Sequence, residues 1–217
     1  MSQVPETPDS LQVRPQRAEE VEHVFVAIDV ANLWHSTKRE FGDKARIDYS
    51  RLIEIIRNNQ ASSKPRELDI VAYTITSVQQ ILPNGTIKQL GSGNEKFLKY
   101  LFKLKCKVKT RHVFEEKGYK KPFSMDWDVG ITVDALTNLD EYDTFSLVNG
   151  DGDYIVLLEK LKNLGKYVDV YTFKSTTSRI LRETAHKVTY LTVNEMFMVE
   201  RKDVRKSSTE SSKSIKT

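Results

Sequence analysis

Short apolar runs alternate with longer stretches of helical spacing over most of the chain. The first run, HVFVAIDV (23–30), is continuous and ends in an acid, which is typical of a strand buried on both faces of a parallel sheet. Four later segments also have the length and composition of strands: 67–78, 106–114, 144–150 and 167–173. The pattern therefore predicts a sheet built from segments spread along the whole chain.

Apolar residues at helical spacing lie between the predicted strands. This spacing predicts helices over 48–59, 94–104, 128–139 and 153–164, a short helix after Ser178 and a terminal helix over 193–199. Asp48 is the expected N-cap of the first helix, and Gly165 is the expected C-cap of the fourth. The third segment is predicted to be a helix despite its β-branched residues, because apolar residues recur at Val129, Val133 and Leu136.

Strands separated by helices predict right-handed crossovers and a mainly parallel central sheet covered on both faces, which is a three-layer α/β fold. We find no internal repeat and no second core, so the folded part is predicted to be one domain over 23–199. Residues 1–22, rich in Pro, Ser, Glu and Gln, predict a flexible arm, and 200–217 predict a flexible basic tail. The segment PNG at 83–85 predicts a turn.

Composition excludes more function classes than it selects. The chain has 217 residues and a net charge of +4, which is too small to identify a partner. Its one cysteine, Cys106, excludes an intramolecular disulfide and a zinc site built from thiolates, and its four histidines show no ligand spacing. No apolar run approaches the roughly 20 residues of a membrane span, and the N-terminus lacks a secretory signal pattern. We therefore expect a cytoplasmic protein without a membrane partner.

Acidic residues lie where predicted strands end and helices begin. Asp29 ends the first strand, Asp151 and Asp153 follow the strand at 144–150, and Asp128 begins the helix over 128–139. Sites in open parallel sheets form beyond the carboxyl ends of the strands, so these acids are expected to meet at one edge. Mg²⁺ and Mn²⁺ prefer such oxygen ligands. Asn32 could orient a carboxylate, bind a phosphate or cap the helix that follows it.

Each acid also has a purely structural interpretation. Asp is a common N-cap, and for Asp153 capping and a site role are equally favoured. Capping is less favoured for Asp29, because the next helix is predicted to begin only near Leu33. A buried acid costs free energy unless a partner or cation offsets it. Asp134 lies six residues beyond Asp128, about 120° around an ideal helix, and is expected to be solvated rather than peripheral to the site.

Other chemistries fit the sequence less well. There is no P-loop, no Gly-x-Gly-x-x-Gly after the first strand and no nucleophile elbow. GSGNEKF at 91–97 is favoured as a connector over an anion site, because no suitable strand precedes it. An Asp-x-Asp phosphotransferase is excluded because Ala31 stands where the second acid would be.

A dense run of basic residues covers 96–121. The phosphates of a nucleic acid are attracted to such a surface whatever the base sequence. The residues expected to contact RNA are Lys103, Lys105, Lys107, Lys109, Arg111, Lys120 and Lys121. The alternation along 106–114 predicts one basic face on an edge strand, where lysines also commonly prevent aggregation. Tyr119, Phe123 and Trp127 in the adjoining loop could stack on bases or pack as core.

Three motifs together resemble a known family. They are IDVAN (28–32), WDVGITVDAL (127–136) and LVNGDGDYIVLLEKLKNLGKYVDVYTF (147–173). From about His23 to Phe197, the chain resembles an NYN domain of the LabA-like group, a relative of the PIN-domain nucleases. The resemblance implies a PIN-like (Rossmann-like) fold that cleaves RNA with Mg²⁺ or Mn²⁺ held by acids at the carboxyl end of the sheet.

The resemblance also implies roles for individual residues. By position, the family's site residues correspond to Asp29, Asn32, Asp128, Asp134, Asp151, Asp153 and Ser178. Ser178 would help bind phosphate, and Asp134 and Asp126 would lie at the periphery. Met125 and Asp126 replace the family's Lys-Gly, which removes a positive charge at that edge. Asn149 replaces a serine, and His186 replaces an acid.

The sequence as a whole favours a metal-dependent ribonuclease that cuts single-stranded RNA internally. Its expected catalytic residues are Asp29, Asn32, Asp128, Asp151 and Asp153, and the four acids among them are the expected metal ligands. The alternative is a non-catalytic module of the same fold that binds RNA or a protein, with the acids as structural caps. The sequence leaves open whether the chain works as a homodimer.

Overall fold

Parallel strands and connecting helices alternate along the chain, as the hydrophobic pattern predicts. The computed structural model describes residues 21–59, 64–81, 87–89, 95–116 and 126–198. The predicted turn at 83–85, the tail over 200–217 and the arm over 1–22, except its last two residues, lie outside these ranges. No described helix is both long and apolar enough to cross a lipid bilayer.

The strands are β1 (Glu22–Asp29), β2 (Ala45–Ile47), β3 (Arg66–Ile81), β4 (Ile87–Gln89), β5 (Lys107–Glu116), β6 (Thr144–Val148), β7 (Tyr167–Thr172), β8 (Lys187–Tyr190) and β9 (Met196–Met198). The helices are α1 (Val30–Phe41), α2 (Tyr49–Asn58), α3 (Glu95–Lys103), α4 (Asp128–Thr137), α5 (Ile155–Asn163) and α6 (Arg179–Thr184). Short 3₁₀ turns cover Leu139–Glu141, Gly152–Tyr154 and Val193–Glu195.

The main sheet is seven-stranded and mostly parallel. Six parallel strands lie in the order β5-β3-β1-β6-β7-β8, and β4 pairs antiparallel with the end of β3. The registers place Ile28 of β1 opposite Val148 of β6, and Val148 opposite Tyr171 of β7, so the central strands end at the same level. This confirms the predicted α/β fold and brings the loops after β1 and β6 together at one edge.

Helices cover both faces of the sheet, which gives the three predicted layers. One apolar core includes Leu33 of α1, Leu52 of α2 and Leu101 of α3. The other includes Ile131 of α4 and Leu158 of α5. The predicted N-cap is confirmed, because Asp48 accepts backbone hydrogen bonds at the start of α2. The C-cap of α5 is Leu164 rather than Gly165, which follows it with φ of 78°, a left-handed backbone conformation that favours glycine.

The predicted helix α4 is confirmed, but the apolar residues whose spacing predicts it do not form its buried face. Val129 and Val133 are 74% and 54% exposed, and Leu136 is also exposed, whereas Ile131 and Ala135 are fully buried. The helix carries apolar residues on several sides, so spacing alone could not select the face that packs on the sheet.

The terminal helix predicted over 193–199 is wrong. After a 3₁₀ turn closed by a capping box between Thr192 and Glu195, the chain forms β9 and pairs antiparallel with β2. The Asp48 amide donates to the Glu195 carbonyl at 2.9 Å and holds this segment against the start of α2. A strand partner about 150 residues away in sequence thus overrides the local helical spacing.

A buried network of charged residues joins the strands away from the sheet edge that carries the loops after β1 and β6. The Arg66 guanidinium makes two 3.0 Å hydrogen bonds to the Glu22 carboxylate and one of 3.3 Å to Asp169. All three side chains are at least nine-tenths buried. Ser146 also donates a hydrogen bond to Asp169. Strands β1, β3, β6 and β7 are therefore connected by charges as well as by their backbone ladder.

Candidate functional site

Asp29 sits at the junction of β1 and α1 and is only 3% exposed. It is the N-cap of α1: its Oδ1 accepts the Asn32 backbone N–H at 3.0 Å. The expectation that this helix begins near Leu33 is therefore wrong, because α1 begins at Val30, directly after the strand. The other carboxylate oxygen accepts the Asn149 side-chain amide at 3.0 Å, so both oxygens have donors.

Burial makes the negative charge of Asp29 costly. Its pKa rises from 3.8 to about 6, mainly because the carboxyl is removed from water. The backbone N–H of Asn32 acts in the opposite direction, while the nearby charges of Asp128 and Asp126 raise the pKa further. A cation placed among these groups would reverse the balance.

Asn149 connects the loop after β6 to Asp29. Its side-chain amide donates to Asp29, and its Oδ1 accepts the Asp151 backbone N–H at 2.6 Å. Asp151 in turn caps the following 3₁₀ turn, because its Oδ1 accepts the Asp153 backbone N–H at 3.2 Å. Asp151, rather than Asp153, is the capping acid, and both side chains are exposed at the sheet edge.

Asp128 brings a third chain segment to the same place. It begins α4 after Trp127, and its pKa is raised by partial burial and then by the charges of Asp126, Asp151 and Asp153. Acids from the segments after β1, after β6 and at the start of α4 therefore influence one another electrostatically. This is the convergence that the strand-end rule predicts.

Tyr154 is a member of the site that sequence analysis did not single out. Its side chain is 1% exposed, and its pKa is raised strongly by burial and then by the charges of Asp29, Asp128 and Asp151. The hydroxyl is close enough to Asp128 to lower the pKa of that carboxyl. It nevertheless has no partner in ordinary hydrogen-bond geometry within the described residues. Its position three residues after Asp151, in the same tight turn, is the signal that could have identified it.

Close backbone packing fixes the turn that carries Asp151. A Cβ on Gly150 would lie 2.5 Å from Thr172 Oγ1 and 3.0 Å from the Thr176 carbonyl, so only glycine fits there. A Cβ on Gly152 would lie 3.1 Å from Ser178 Oγ. Ser178 also donates its backbone N–H to Gly150 at 3.0 Å. The structure thus places Ser178 beside the turn that carries the acid.

A polar groove lies between α1 and the turn that carries Asp151. Its lining side chains include Asn32, Arg39, Asp151, Thr176 and Ser178. The Thr176 hydroxyl is buried without a partner among the described residues. Hydroxyl donors and one guanidinium next to the acids give this groove the character of a phosphate-binding surface.

Asp134 was expected to be solvated, and the structure corrects this expectation. Its carboxylate accepts the Tyr73 hydroxyl at 2.5 Å and pairs with Lys109 at 2.7 Å. Because Tyr73 belongs to β3 and Lys109 to β5, these contacts attach α4 to two strands. The side chain is 17% exposed and has a structural role in holding the helix.

The basic residues of β5 are partly engaged within the protein. Strand β5 lies at the edge of the described sheet, as predicted, and Lys107 pairs with Asp69 at 2.8 Å. Arg111 lies 4.0 Å from the ring centroid of Trp127. Trp127 is buried and its Nε1 donates to the Thr74 carbonyl, so it packs as core. Lys103 and Lys105 are exposed. Lys120, Lys121, Tyr119, Phe123 and Met125 lie outside the described residues.

The chemistry of the acidic group suits a hard divalent cation, although its side chains do not form a closed ligand set. Within the described residues, no three carboxylate, imidazole or thiolate groups are arranged so that they could hold a metal ion as they stand. The donors present are carboxylate oxygens and the unpartnered Tyr154 hydroxyl, and the charges of neighbouring acids raise the pKa of Asp29 and of Asp128. A cation would relieve this repulsion and would require the carboxylates to draw closer together.

Comparison with known proteins agrees with the fold. A crystal structure of a protein of unknown function from Vibrio parahaemolyticus is similar, with a TM-score of 0.65 and 23% identity over 83% of this chain and 99% of that chain. No curated protein matches the sequence significantly. The family model named NYN domain matches residues 23–192, nearly the whole range of the resemblance, while the LabA-like subgroup stays a prediction. The chain therefore belongs to the NYN domain family, a PIN-like nuclease family.

Proposed function

We propose that this protein is a metal-dependent ribonuclease that hydrolyses phosphodiester bonds within single-stranded RNA in the cytoplasm. The observation that carries the proposal is the convergence of Asp29, Asp128 and Asp151 at the carboxyl edge of the sheet. These acids belong to three separate segments, and the pKa values of Asp29 and Asp128 are raised in part by their neighbours' charges. Membership of a PIN-like nuclease family supports hydrolysis over other reactions at such an edge.

The acids would hold Mg²⁺ or Mn²⁺. Asp29, Asp128 and Asp151 are the proposed ligands, and Asp153 is a neighbouring ligand, directly or through water. When bound, the cation would supply an activated water and would neutralise charge on the phosphate. Because the pKa of Asp29 is about 6, binding of the cation near neutral pH would also displace its residual proton.

The remaining residues would position these ligands and the RNA. Asn149 holds one Asp29 oxygen and the Asp151 backbone together, and the Asn32 backbone N–H holds the other oxygen. The Tyr154 hydroxyl stays neutral and can donate to a carboxylate or a ligand water. Arg39 and Ser178 in the polar groove would bind a neighbouring phosphate, with Lys103 and Lys105 as more distant contacts.

A second candidate function also has an observation in its favour. Asp29 and Asp151 both act as caps of the helical turns that follow them, which a structural role would require. The same fold would then bind RNA or a protein partner without cleaving it. Cleavage would require the negative charge of these acids to hold a cation, whereas a cap requires only an oxygen that accepts a hydrogen bond.

Replacement of Asp by Asn separates these functions, since Asn caps a helix about as well as Asp but carries no charge. The purified protein, Asp29→Asn and Asp151→Asn would be incubated with labelled single-stranded RNA and Mn²⁺. The matched control is Asp48→Asn, because Asp48 caps α2 outside the acidic group. We expect cleavage by the parent and the control, and a loss of about 100-fold or more in the other two variants.

The outcomes are distinct. Cleavage that survives both Asp29→Asn and Asp151→Asn would indicate a contaminating nuclease and would favour the binding module. A circular RNA of the same sequence tests internal cutting, because only an endonuclease can open it. A matched DNA strand tests the preference for RNA.

A further inference from the structure

A second, mostly apolar pocket adjoins Asp29 on α1. Val30 and Ala31, which directly follow Asp29, form part of its wall. The charge of Asp29 also raises the pKa of Tyr49, another lining residue, after the larger effect of burial. The cavity measures about 420 Å³, within the roughly 300–1,000 Å³ typical of small-molecule sites.

Four aromatic rings form part of the walls of this pocket. They belong to Trp34, Tyr49, Phe97 and Tyr100. The rings of Tyr49 and Phe97 are tilted, with centroids 5.3 Å apart, and those of Tyr49 and Tyr100 form an edge contact at 6.5 Å. Trp34 is 41% exposed, a large apolar surface left open to solvent. The pocket therefore offers flat surfaces on which a planar ring could stack.

Two basic side chains lie beside this aromatic surface. The Lys38 ammonium lies 3.8 Å from the ring centroid of Trp34, and the Arg46 side chain is part of the pocket wall. His35 lines both this pocket and the polar groove beside Asp151, so the two cavities border the same residue of α1. A ligand that is planar at one end and anionic at the other would fit this combination.

We propose that the pocket receives one base of the RNA strand, next to the phosphodiester at the acidic group. The inference rests on the proposed function for its substrate. Stacking of bases on aromatic side chains is a main mode of single-strand recognition, and the bases of a duplex are not free to enter such a pocket. The pocket thus also accounts for a preference for single-stranded RNA.

The test measures binding without cleavage. The probes are a labelled RNA tetranucleotide and its four versions that each lack one base, with Ca²⁺ as the cation because it takes the same oxygen ligands. Affinity is measured by fluorescence anisotropy for the parent and for Trp34→Leu, which keeps an apolar side chain and removes the ring. The control is Phe102→Leu. Phe102 belongs to α3, as do the lining residues Phe97 and Tyr100, but it is 60% exposed and is not part of the pocket wall.

We expect removal of one particular base to weaken binding by the parent about 5- to 100-fold. Trp34→Leu should bind the intact strand correspondingly less well and should lose nothing further when that base is removed, whereas Phe102→Leu should behave like the parent. Three results would each overturn the proposal. Removal of the base could weaken binding equally in the parent and in Trp34→Leu, Trp34→Leu could bind the intact strand as well as the parent does, or the parent could fail to bind.

Failure of the pocket and failure of the nuclease are distinguishable. Cleavage in Mn²⁺ without coupling between Trp34 and a base would refute the pocket alone. Coupling in Ca²⁺ without cleavage by the parent in Mn²⁺ would refute hydrolysis and leave the pocket in place. Thermal melting of Trp34→Leu and Phe102→Leu would check that both variants are folded.

Discussion

At the level of single residues, Asp29 combines a helix cap with a buried negative charge. The cap fixes the start of α1, and burial raises the carboxyl pKa to about 6. Because the pKa is higher in the folded than in the unfolded state, the folded state binds more protons between about pH 4 and pH 6. Stability conferred by this proton is present at low pH and is lost as the pH rises through the folded pKa.

The metal-free protein should therefore lose stability relative to Asp29→Asn as the pH rises from 4 to 7. The rise from 3.8 to about 6 corresponds to roughly 3 kcal/mol in the difference between their free energies of unfolding. Urea unfolding at several pH values in EDTA measures this difference, with Asp48→Asn as the control. A constant difference across this range would contradict the burial cost assigned to Asp29.

A divalent cation should stabilise the protein through the same acids. At a concentration 100 times its Kd, Mn²⁺ would add about 2.7 kcal/mol, which corresponds to a Tm increase of roughly 5–10 °C for a chain of this size. We expect this increase in the parent and in Asp48→Asn, and little of it in Asp29→Asn or Asp151→Asn. If Mn²⁺ left the Tm of the parent unchanged, the proposed metal site would be untenable.

At the level of elements, α4 shows how a helix that is apolar on several sides is oriented. Polar contacts choose the face: Asp134 bonds to Tyr73 and Lys109, and the preceding Trp127 bonds to the Thr74 carbonyl. With these contacts made, Ile131 packs into the core, and Asp128 at the start of the helix comes within the electrostatic influence of Asp151 and Asp153. The orientation of the helix and the position of a site acid thus have the same cause.

Ile131→Ala and Val133→Ala form a matched pair on α4, since the two residues lie in the same helix and are 0% and 54% exposed. Ile131→Ala should lower the free energy of unfolding by about 2–4 kcal/mol through the cavity it leaves. Val133→Ala should change it by less than about 0.5 kcal/mol. Equal losses, measured by chemical denaturation, would contradict the packing of α4 through Ile131.

The sequence predicts these elements unevenly, for physical reasons. Buried parallel strands such as β1 are continuous apolar runs, so their existence and the acids at their ends can be read locally. The pairing of β2 with β9 cannot be predicted from the local sequence, because the two strands are about 150 residues apart in the chain. Tyr154 was missed because a tyrosine in an amphipathic segment has the same pattern whether its hydroxyl faces solvent or carboxylates.

At the level of the whole molecule, charges are concentrated at two separate places in one sheet. The acids at the carboxyl edge repel one another, whereas Glu22, Arg66 and Asp169 form a compensated network elsewhere in the sheet. Burial raises the pKa of Asp169, and the Ser146 hydroxyl and Arg66 act against it. The buried carboxylates of the network are compensated by the Arg66 guanidinium. The acids of the candidate site would have to bind a free cation for the same compensation.

Arg66→Met should destabilise the fold strongly, because it leaves two buried carboxylates without their cation. We expect a loss of about 3–5 kcal/mol in the free energy of unfolding. Lys107→Met is the control, since its pair with Asp69 is exposed and should contribute less than about 1 kcal/mol. If urea unfolding gave similar losses of stability for both variants, the buried Arg66 network would contribute no more than the exposed pair of Lys107 and Asp69.

The two tryptophans give the chain an internal pair of fluorescent reporters. Trp34 is exposed beside the aromatic pocket, whereas Trp127 is buried under Arg111 and directly precedes Asp128. A collisional quencher in water would reach the first and spare the second, so their emissions can be separated without any label. Binding at the pocket and rearrangement at the start of α4 would thus appear as different spectral changes in the unmodified protein.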